Sequence, residues 1–184
     1  DKNGLVLLDD VESIELYSLV LTCFISGKTF LPINEDWPNG RRQKVLEKCR
    51  GELPQELSYI YFTSGSSGEP KGVCIGEKQV MCFLKSLEGL PFKMVSRQSQ
   101  FFSKSFDPFL ADIFLALLQG ASLHPLPENK KYNLLDFSKV ESLERICLTP
   151  SQAIMNLERS EDIVLEDVKE TIFTGEILET SLVS

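Results

Sequence analysis

The sequence predicts an α/β fold of layered, mostly parallel sheets that are flanked by helices. Short apolar runs typical of strands alternate along the chain with stretches of helical period. The 184 residues, 42% hydrophobic and 25% charged, are enough for one domain with a core. Polar loops follow several predicted strands, so the loops after Phe62, at 103–107 and at 149–151 are expected to converge at one sheet edge.

The elements follow in order from the amino terminus. An apolar run predicts the first strand at Gly4–Leu8, and a helical period predicts a helix at Val11–Ser26, which Gly27 terminates. Runs rich in apolar residues predict further strands at 29–31, 59–62, 73–75, 100–102, 122–126, 145–148 and 171–174. Apolar residues at helical spacing predict helices at 41–48, 77–87, 108–119 and 150–157.

Charge and cysteine content argue against several classes of protein. The formal net charge of −8, without clusters of Lys and Arg, argues against a nucleic-acid surface. The apolar run Leu16–Ile25 is too short to cross a bilayer and no basic leader precedes it, so a cytoplasmic protein is expected. Neither a disulfide framework nor a zinc site is predicted, because C-x-x-C spacing is absent from the five cysteines, which are Cys23, Cys49, Cys74, Cys82 and Cys147.

The segment Tyr59–Val73 is the most informative part of the chain, because an apolar strand leads into a loop suited to phosphate. Gly65 and Gly68 permit backbone conformations in which consecutive N–H groups turn inward. Lys71 supplies a positive charge. The spacing differs from the G-x-x-x-x-G-K-[ST] loop, so a kinase or a GTPase is a weak interpretation. Hydroxyl donors come from Thr63, Ser64, Ser66 and Ser67.

The stretch Phe62–Gly72 resembles the T-S-G-[ST]-[ST]-G-x-P-K-G signature of the adenylate-forming superfamily. Acyl-CoA synthetases, luciferases and the adenylation domains of nonribosomal peptide synthetases belong to this superfamily. Other family elements occur in the expected order: K-A-G-x-x-[YF]-x-P-[IL]-[DN] at 26–38, F-D at 105–114, L-x-x-G-A-x-L at 117–123, T-P-[ST] at 149–151 and G-G-E at 173–176. The chain is most similar to the N-terminal part of an amino-acid adenylation domain.

This resemblance implies that residues 1–184 form a partial N-terminal AMP-binding domain, from which the C-terminal subdomain is absent. The sequence contains neither the Y-G-x-T-E element nor the C-terminal lysine of the family. The connection from Pro38 to Tyr59 is shorter than in most members, and Glu77 stands where a histidine is usual. The 184 residues alone are therefore expected to lack turnover.

In the family reaction a carboxylate attacks the α-phosphorus of ATP, which gives an acyl-adenylate and pyrophosphate. The resemblance implies ATP and Mg²⁺ as cofactors and Lys71 as a catalytic cation that stabilises the departing pyrophosphate. The alternative is a structural Lys71, solvated or paired with Glu69. Gly175 and Glu176 would belong to the nucleotide pocket. The ATP phosphates would bind to Thr63, Ser64, Gly65, Ser66, Ser67, Gly68 and Lys71.

Asp107 bears most directly on the substrate. From the residues alone, an aspartate before Pro108 is a helix N-cap. The resemblance implies that its carboxylate pairs with the α-ammonium of an amino acid, and the two roles are compatible. His124, the only histidine, is interpreted as a structural residue. The substrate side chain would lie in a pocket lined by Pro108, Ala111, Ser151, Ile172 and Thr174.

The resemblance thus implies a ligase that activates a small-molecule carboxylate, most simply an amino acid, and transfers it to the phosphopantetheine thiol of a carrier protein. An acyl- or aryl-CoA synthetase is one alternative, and a catalytically silent nucleotide-binding or interaction module is another. No nucleic-acid partner and no membrane span are expected. The residues do not identify the amino acid.

Overall fold

The computed structural model describes residues 4–9, 14–64, 68–127, 133–159 and 164–178. Strands and helices alternate through most of these ranges, as predicted. Their bounds are β1 Leu5–Leu8, α1 Ile14–Ser26, β2 Thr29–Pro32, α2 Asn39–Lys48, β3 Leu57–Ser64, β4 Pro70–Gly76, α3 Glu77–Glu88, β5 Arg97–Gln100, α4 Pro108–Gln119, β6 Ser122–Pro125, α5 Leu134–Val140, β7 Arg145–Leu148, α6 Pro150–Leu157 and β8 Glu170–Phe173. None of these helices is both long enough and apolar enough to cross a membrane.

The chain divides into two compact units. The first contains residues 1–86 together with 104–106, and the second contains residues 87–103 and 107–184. Each unit has its own sheet, with strand order β1-β2-β3-β4 in the first and β6-β5-β7-β8 in the second. The loop after β3 and the loops after β5 and β7 therefore follow strands of different sheets. The prediction that these three loops share one sheet edge is wrong.

The sheet of the first unit is mixed. β1, β2 and β3 are parallel neighbours, whereas β3 and β4 form an antiparallel hairpin in which Thr63 faces Lys71. The helix α1 presents Leu16, Val20 and Cys23 on one buried face, at the spacing expected of an amphipathic helix. A second cluster of buried side chains is formed by Leu31, Ile33, Val45, Cys49, Ile60 and Phe62.

The described strands of the second unit are all parallel. β5 lies between β6 and β7, and β8 pairs with the other edge of β7. The helix α4 is apolar on most sides and ends at Gly120, whose φ of 67° is the left-handed conformation that favours glycine. One core cluster of this unit is formed by Phe101, Leu134, Phe137, Leu143, Ile146, Leu148 and Ala153.

A buried ion network crosses the second sheet at Arg145 of β7. Its guanidinium is fully buried, and Nε lies 2.6 Å from Oε2 of Glu170 on β8. Nη1 donates to Oε1 of Gln98 on β5 at 2.9 Å and to Oε1 of Gln119 at 3.1 Å, while Nη2 donates to the carbonyl of Lys93 at 2.5 Å. The cation is thus balanced by one carboxylate and solvated by protein oxygens, as a buried charge requires.

Two features of the second unit differ from the sequence expectation. The strand predicted at 100–102 is β5, at Arg97–Gln100, where Gln98 and Ser99 are buried although they are polar. Gln98 donates to the carbonyl of Asp112, and the hydroxyl of Ser99 accepts from the N–H of Cys147. The helix α5 was not predicted at all. Both elements depend on partners far away in the sequence.

Candidate functional site

The predicted phosphate loop connects the two strands of the β3–β4 hairpin. Ile60 and Phe62 anchor β3 in the core, and the two strands remain paired up to Ser64 and Pro70, at the base of the loop. Gly68 has a φ of 77°, which a residue with a side chain rarely adopts. Three predicted phosphate ligands, Gly65, Ser66 and Ser67, lie outside the described residues.

Lys71 lies beside Thr63 on the neighbouring strand. The Thr63 hydroxyl donates to the Lys71 carbonyl at 3.5 Å, and both residues are exposed. No ion pair of the Lys71 ammonium is found in the described part of the chain. The alternative partner, Glu69, instead pairs with Lys44, whose Nζ lies 2.7 Å from Oε1. The hairpin therefore presents an exposed cation next to an exposed hydroxyl, close to the loop.

Two lysines of α2 contact Glu69 and Pro70, which lie just before and at the start of β4, and the sequence analysis did not identify them. A hydrogen bond from Lys44, reinforced by its charge, lowers the pKa of Glu69. Lys48 donates to the carbonyl of Pro70 at 2.7 Å. The lysines are four residues apart and therefore lie on one face of α2. The four-residue spacing indicates that the two lysines share a helix face, but it does not indicate which strand that face contacts.

Asp107 occupies the N-cap position of α4 but does not cap the helix. Its backbone is helical, with φ −57° and ψ −31°, and its carboxylate accepts no hydrogen bond from the first turn. Pro108, the next residue, lies at the first helical position and is buried. The interpretation of the Asp107 carboxylate as a cap is therefore wrong. Its contact with a substrate stays a prediction, and the side chain is exposed.

Ser151 and Glu176, two of the predicted site residues, are in direct contact. Oε2 of Glu176 accepts from the Ser151 N–H at 2.9 Å and from the Ser151 hydroxyl at 2.5 Å. These two bonds, the hydroxyl bond first, lower the pKa of Glu176. A capping box between Thr149 and Gln152 satisfies further donors at the start of α6. The carboxylate thus completes the N-terminus of this helix, where the free N–H groups favour negative charge.

The other predicted residues of this unit lie on α4, on β8 and just after β8. Ala111, Ile172 and Thr174 are half-buried. Ile172 and Thr174 are two residues apart at the end of β8, so their side chains lie on the same side of the sheet. The Thr174 N–H donates to the Leu148 carbonyl at 3.3 Å. Gly175 follows with a φ of 85°, and this turn brings the chain to Glu176.

Asp112, one turn into α4, is a buried acid that the sequence analysis did not single out. It is 3% exposed, and burial raises the pKa of its carboxyl well above the ordinary value. A hydrogen bond with Cys147 and the charge of Arg145 oppose this effect only in part. Burial also raises the pKa of Cys147. Burial therefore favours the neutral form of the Asp112 carboxyl.

Comparison with known proteins decides the family. A family model described as AMP-binding enzyme matches residues 50–184. The chain belongs to the AMP-binding enzyme family. The match confirms the resemblance seen in the motifs, and it contains the whole β3–β4 hairpin and all the predicted site residues.

This AMP-binding family member is similar to several peptide synthetases. It is 34% identical over 137 residues to surfactin synthase subunit 2 of Bacillus subtilis, with 71% of this chain and 4% of the relative covered. It is 31% identical over 155 residues to a plipastatin synthase subunit of Bacillus subtilis, with 83% and 6% covered. It is also 34% identical over 120 residues to delta-poly-L-ornithine synthetase of Acinetobacter baumannii, with 63% and 8% covered. The chain spans only a small part of each of these relatives.

Solved structures are similar to this family member in fold. The Vibrio cholerae adenylation domain AlmE, in complex with glycyl-adenosine-5'-phosphate, matches with a TM-score of 0.74 and 19% identity, over 84% of this chain and 42% of AlmE. IdnL1 matches with a TM-score of 0.81 and 20% identity, over 100% of this chain and 46% of IdnL1. These likenesses confirm the predicted α/β fold.

Proposed function

We propose that this chain is the N-terminal part of an adenylation domain that activates an amino acid with ATP. Residues 1–184 would then be a partial AMP-binding domain, and the C-terminal subdomain would lie outside them. The observation that carries the proposal is the β3–β4 hairpin, which presents Lys71 without an ion-pair partner among the described residues and beside the Thr63 hydroxyl. An exposed cation and hydroxyl at a glycine-containing loop suit a polyanion.

The phosphate end of ATP would bind at this hairpin. Because Glu69 is paired with Lys44, the Lys71 ammonium is free to approach the β- and γ-phosphates. Mg²⁺ would arrive on the ATP phosphates, since it prefers phosphate oxygens and water to a cage of protein ligands. When bound, it supplies positive charge to the departing pyrophosphate. Lys71 would stabilise the same charge from the protein side.

The amino group of the substrate would bind at Asp107. The carboxylate is exposed and forms no cap bond, so pairing with an ammonium would cost the helix nothing. The side chain of the substrate would contact Pro108, Ala111, Ser151, Ile172 and Thr174, and Gly175 and Glu176 would border the nucleotide. Similarity to peptide synthetases, and to a domain solved with glycyl-adenosine-5'-phosphate, supports an amino acid over a plain carboxylic acid.

In the proposed reaction, an oxygen of the amino-acid carboxylate attacks the α-phosphorus and the bond to pyrophosphate breaks. The acyl group of the adenylate would then pass to the phosphopantetheine thiol of a carrier protein, which displaces AMP. A cytoplasmic location fits the described cysteines, all of which are free thiols.

The decisive experiment is ATP–pyrophosphate exchange by the longest natural protein that contains this chain. We expect exchange with one or a few amino acids and none with the matching acids that lack the amine. Exchange driven equally well by plain carboxylates would point to an acyl- or aryl-CoA synthetase. Binding of MgATP without exchange would point to a silent module. The 184 residues alone should bind MgATP and form no adenylate.

A further inference from the structure

The only histidine of the chain, His124, lies between a serine and a glutamate. Its side chain, on β6 of the second unit, is 14% exposed. Nδ1 lies 2.9 Å from Oε2 of Glu141, and Nε2 lies 2.9 Å from the hydroxyl oxygen of Ser122. Ser122 is exposed at the start of the same strand. A hydroxyl, an imidazole and a carboxylate are thus hydrogen-bonded in series.

The contact with Glu141 determines which nitrogen of a neutral His124 carries the proton. In a neutral imidazole one nitrogen donates and the other accepts. Because a carboxylate only accepts, Nδ1 must carry the proton toward Glu141, which leaves the lone pair of Nε2 facing the Ser122 hydroxyl. This is the order of nucleophile, base and orienting acid found in hydrolases with a serine nucleophile. His124 is therefore positioned to remove the Ser122 proton.

Two neighbouring groups tune this arrangement. Arg97 of β5 binds Glu141 through two contacts: its Nε donates to the Glu141 carbonyl at 2.7 Å, and its Nη2 lies 3.2 Å from Oε2 of Glu141. The same Nη2 lies 3.5 Å from Nδ1 of His124. The Ser122 hydroxyl donates to the Ser96 carbonyl at 3.0 Å, so it has to turn toward Nε2 before His124 can remove its proton. If His124 is protonated, Nε2 donates to the Ser122 oxygen, and the hydroxyl keeps its bond to this carbonyl. Only the neutral imidazole can act as the base.

We propose that Ser122 is a nucleophile, activated by His124 and Glu141, that is acylated by activated carboxylic esters. In this step the Ser122 oxygen bonds to the acyl carbon, the hydroxyl proton moves to Nε2 of His124, and the alkoxide or phenolate leaves with the bonding electrons. The proton then passes to the leaving group or to water. The product is an ester on Ser122. This site uses none of the residues assigned above to ATP or to the amino acid.

The geometry also limits the fate of the acyl-serine. A positioned base accelerates the acylation step by about 10²- to 10⁴-fold. In many acyl-transfer enzymes an oxyanion hole supplies a further factor of about 10² to 10³ for each donor. Here the backbone N–H of Ser122 donates to the Ser96 carbonyl at 2.8 Å, so it is not free for an oxyanion. Acylation and deacylation both lack a contribution from this N–H, so catalytic turnover of the ester is slow.

The experiment treats the purified chain with p-nitrophenyl acetate and maps acetylated peptides by mass spectrometry. Hydroxylamine separates serine esters, which it cleaves, from lysine amides, which it leaves intact. We expect Ser122 to be acetylated at least about 100-fold faster than Ser86, an exposed serine whose hydroxyl donates only to a carbonyl of its own helix. His124→Gln should reduce the Ser122 rate to that of Ser86, and Glu141→Gln should reduce it about tenfold. Ser86→Ala is the matched control and should change nothing at Ser122.

The proposal is overturned if Ser122 reacts no faster than Ser86, or if His124→Gln leaves a folded protein with an unchanged Ser122 rate. Because ATP and amino acids are absent from this assay, its outcome is independent of the proposed adenylation.

Discussion

Ser151 gives both its backbone N–H and its hydroxyl hydrogen to one carboxylate oxygen of Glu176. The two residues are 25 positions apart and belong to different motifs, yet their contacts are 2.9 and 2.5 Å long. The hydroxyl is therefore oriented before any ligand arrives. If Ser151 lines the substrate pocket, it offers the ligand the lone pairs of its oxygen, because its hydrogen is committed to Glu176.

Replacing Glu176 should break the contact between the first turn of α6 and the turn after β8. We expect Glu176→Ala to lower the melting temperature by about 2–5 °C through the lost helix cap and to lower kcat/KM for the amino acid several-fold. Glu176→Gln keeps an acceptor oxygen and should retain most of both. Glu166→Ala, at another exposed glutamate of the same unit, is the control. Equal effects of Glu176→Ala in the presence and in the absence of Ser151→Ala would contradict the coupling.

Lys71→Ala should slow pyrophosphate exchange in the full-length protein by about 10²-fold or more, because a preorganised cation would be missing in the transition state. The fold should survive, since the side chain is exposed and is not part of a core cluster. Lys78→Ala, at an exposed lysine of α3, serves as the matched control. Exchange rates and ATP affinities that are the same in Lys71→Ala and the parent protein would refute the assignment.

Asp107 offers a clean separation of substrate binding from stability. Because its carboxylate forms no cap bond, Asp107→Asn and Asp107→Ala should both leave the melting temperature unchanged. Both should lower kcat/KM for the amino acid, by roughly tenfold to a hundredfold, since a charge-assisted bond to the ammonium is lost. Asp136→Asn, at an exposed aspartate of α5, should have no effect. An unchanged kcat/KM in Asp107→Asn would favour the acyl-CoA synthetase interpretation.

Asp112 should make stability depend on pH. Below about pH 4 the folded and unfolded chains both hold its proton. At higher pH the unfolded chain releases the proton while the fold retains it, because the pKa of Asp112 is raised in the fold. The free energy of unfolding therefore falls by about 1.4 kcal/mol per pH unit from this group until the raised pKa is passed.

The variant Asp112→Asn removes this dependence. Urea unfolding at a series of pH values should show Asp112→Asn gaining stability relative to the parent protein as the pH rises from 4 toward 7. The exposed control Asp136→Asn should follow the parent protein. A constant difference between Asp112→Asn and the parent across this range would show that Asp112 is ionised in the fold.

The buried Arg145 should be among the most sensitive positions of the second unit. Arg145→Met leaves the Glu170 carboxylate, whose side chain is 16% exposed, without its partner, and it strands the side-chain oxygens of Gln98 and Gln119. We expect a loss of about 3–5 kcal/mol in the free energy of unfolding. Arg50→Met, at an exposed arginine, should cost less than about 0.5 kcal/mol. Similar unfolding midpoints for the two variants would contradict the network.

Local patterns predicted those elements whose signals lie within a few residues. The run Tyr59–Phe62 is aromatic and β-branched, so it predicted β3, and Pro108 marked the first residue of α4. The signature at Phe62–Gly72 likewise predicted that Lys71 lies near the loop. Residues 65–67 lie outside the described part of the chain, so the assignment of the glycine and hydroxyl donors there stays a prediction.

The remaining elements depend on distant partners. The strand β5 is polar in sequence, but Gln98 and Ser99 are satisfied by α4 and β7, which allows them to be buried. The N–H of Leu134, at the start of α5, donates to Oδ1 of Asn156, and no local signal reports that bond. For the same reason the contact between Ser151 and Glu176 was not predicted. Sequence spacing alone does not show which residues a tertiary fold brings together.

The position of Arg145 has a consequence for strand pairing. Arg145 is opposite Gln98 on β5 and opposite Glu170 on β8, so the contacts of this one side chain depend on the alignment of three strands. A slip of β7 by one residue would turn this guanidinium to the other face of the sheet and leave the carboxylate behind. Apolar neighbours such as Ile146 and Leu148 penalise such a slip far less specifically, because one aliphatic contact can replace another. The buried charge therefore discriminates against misaligned sheets, even where its net contribution to the stability of the aligned one is small.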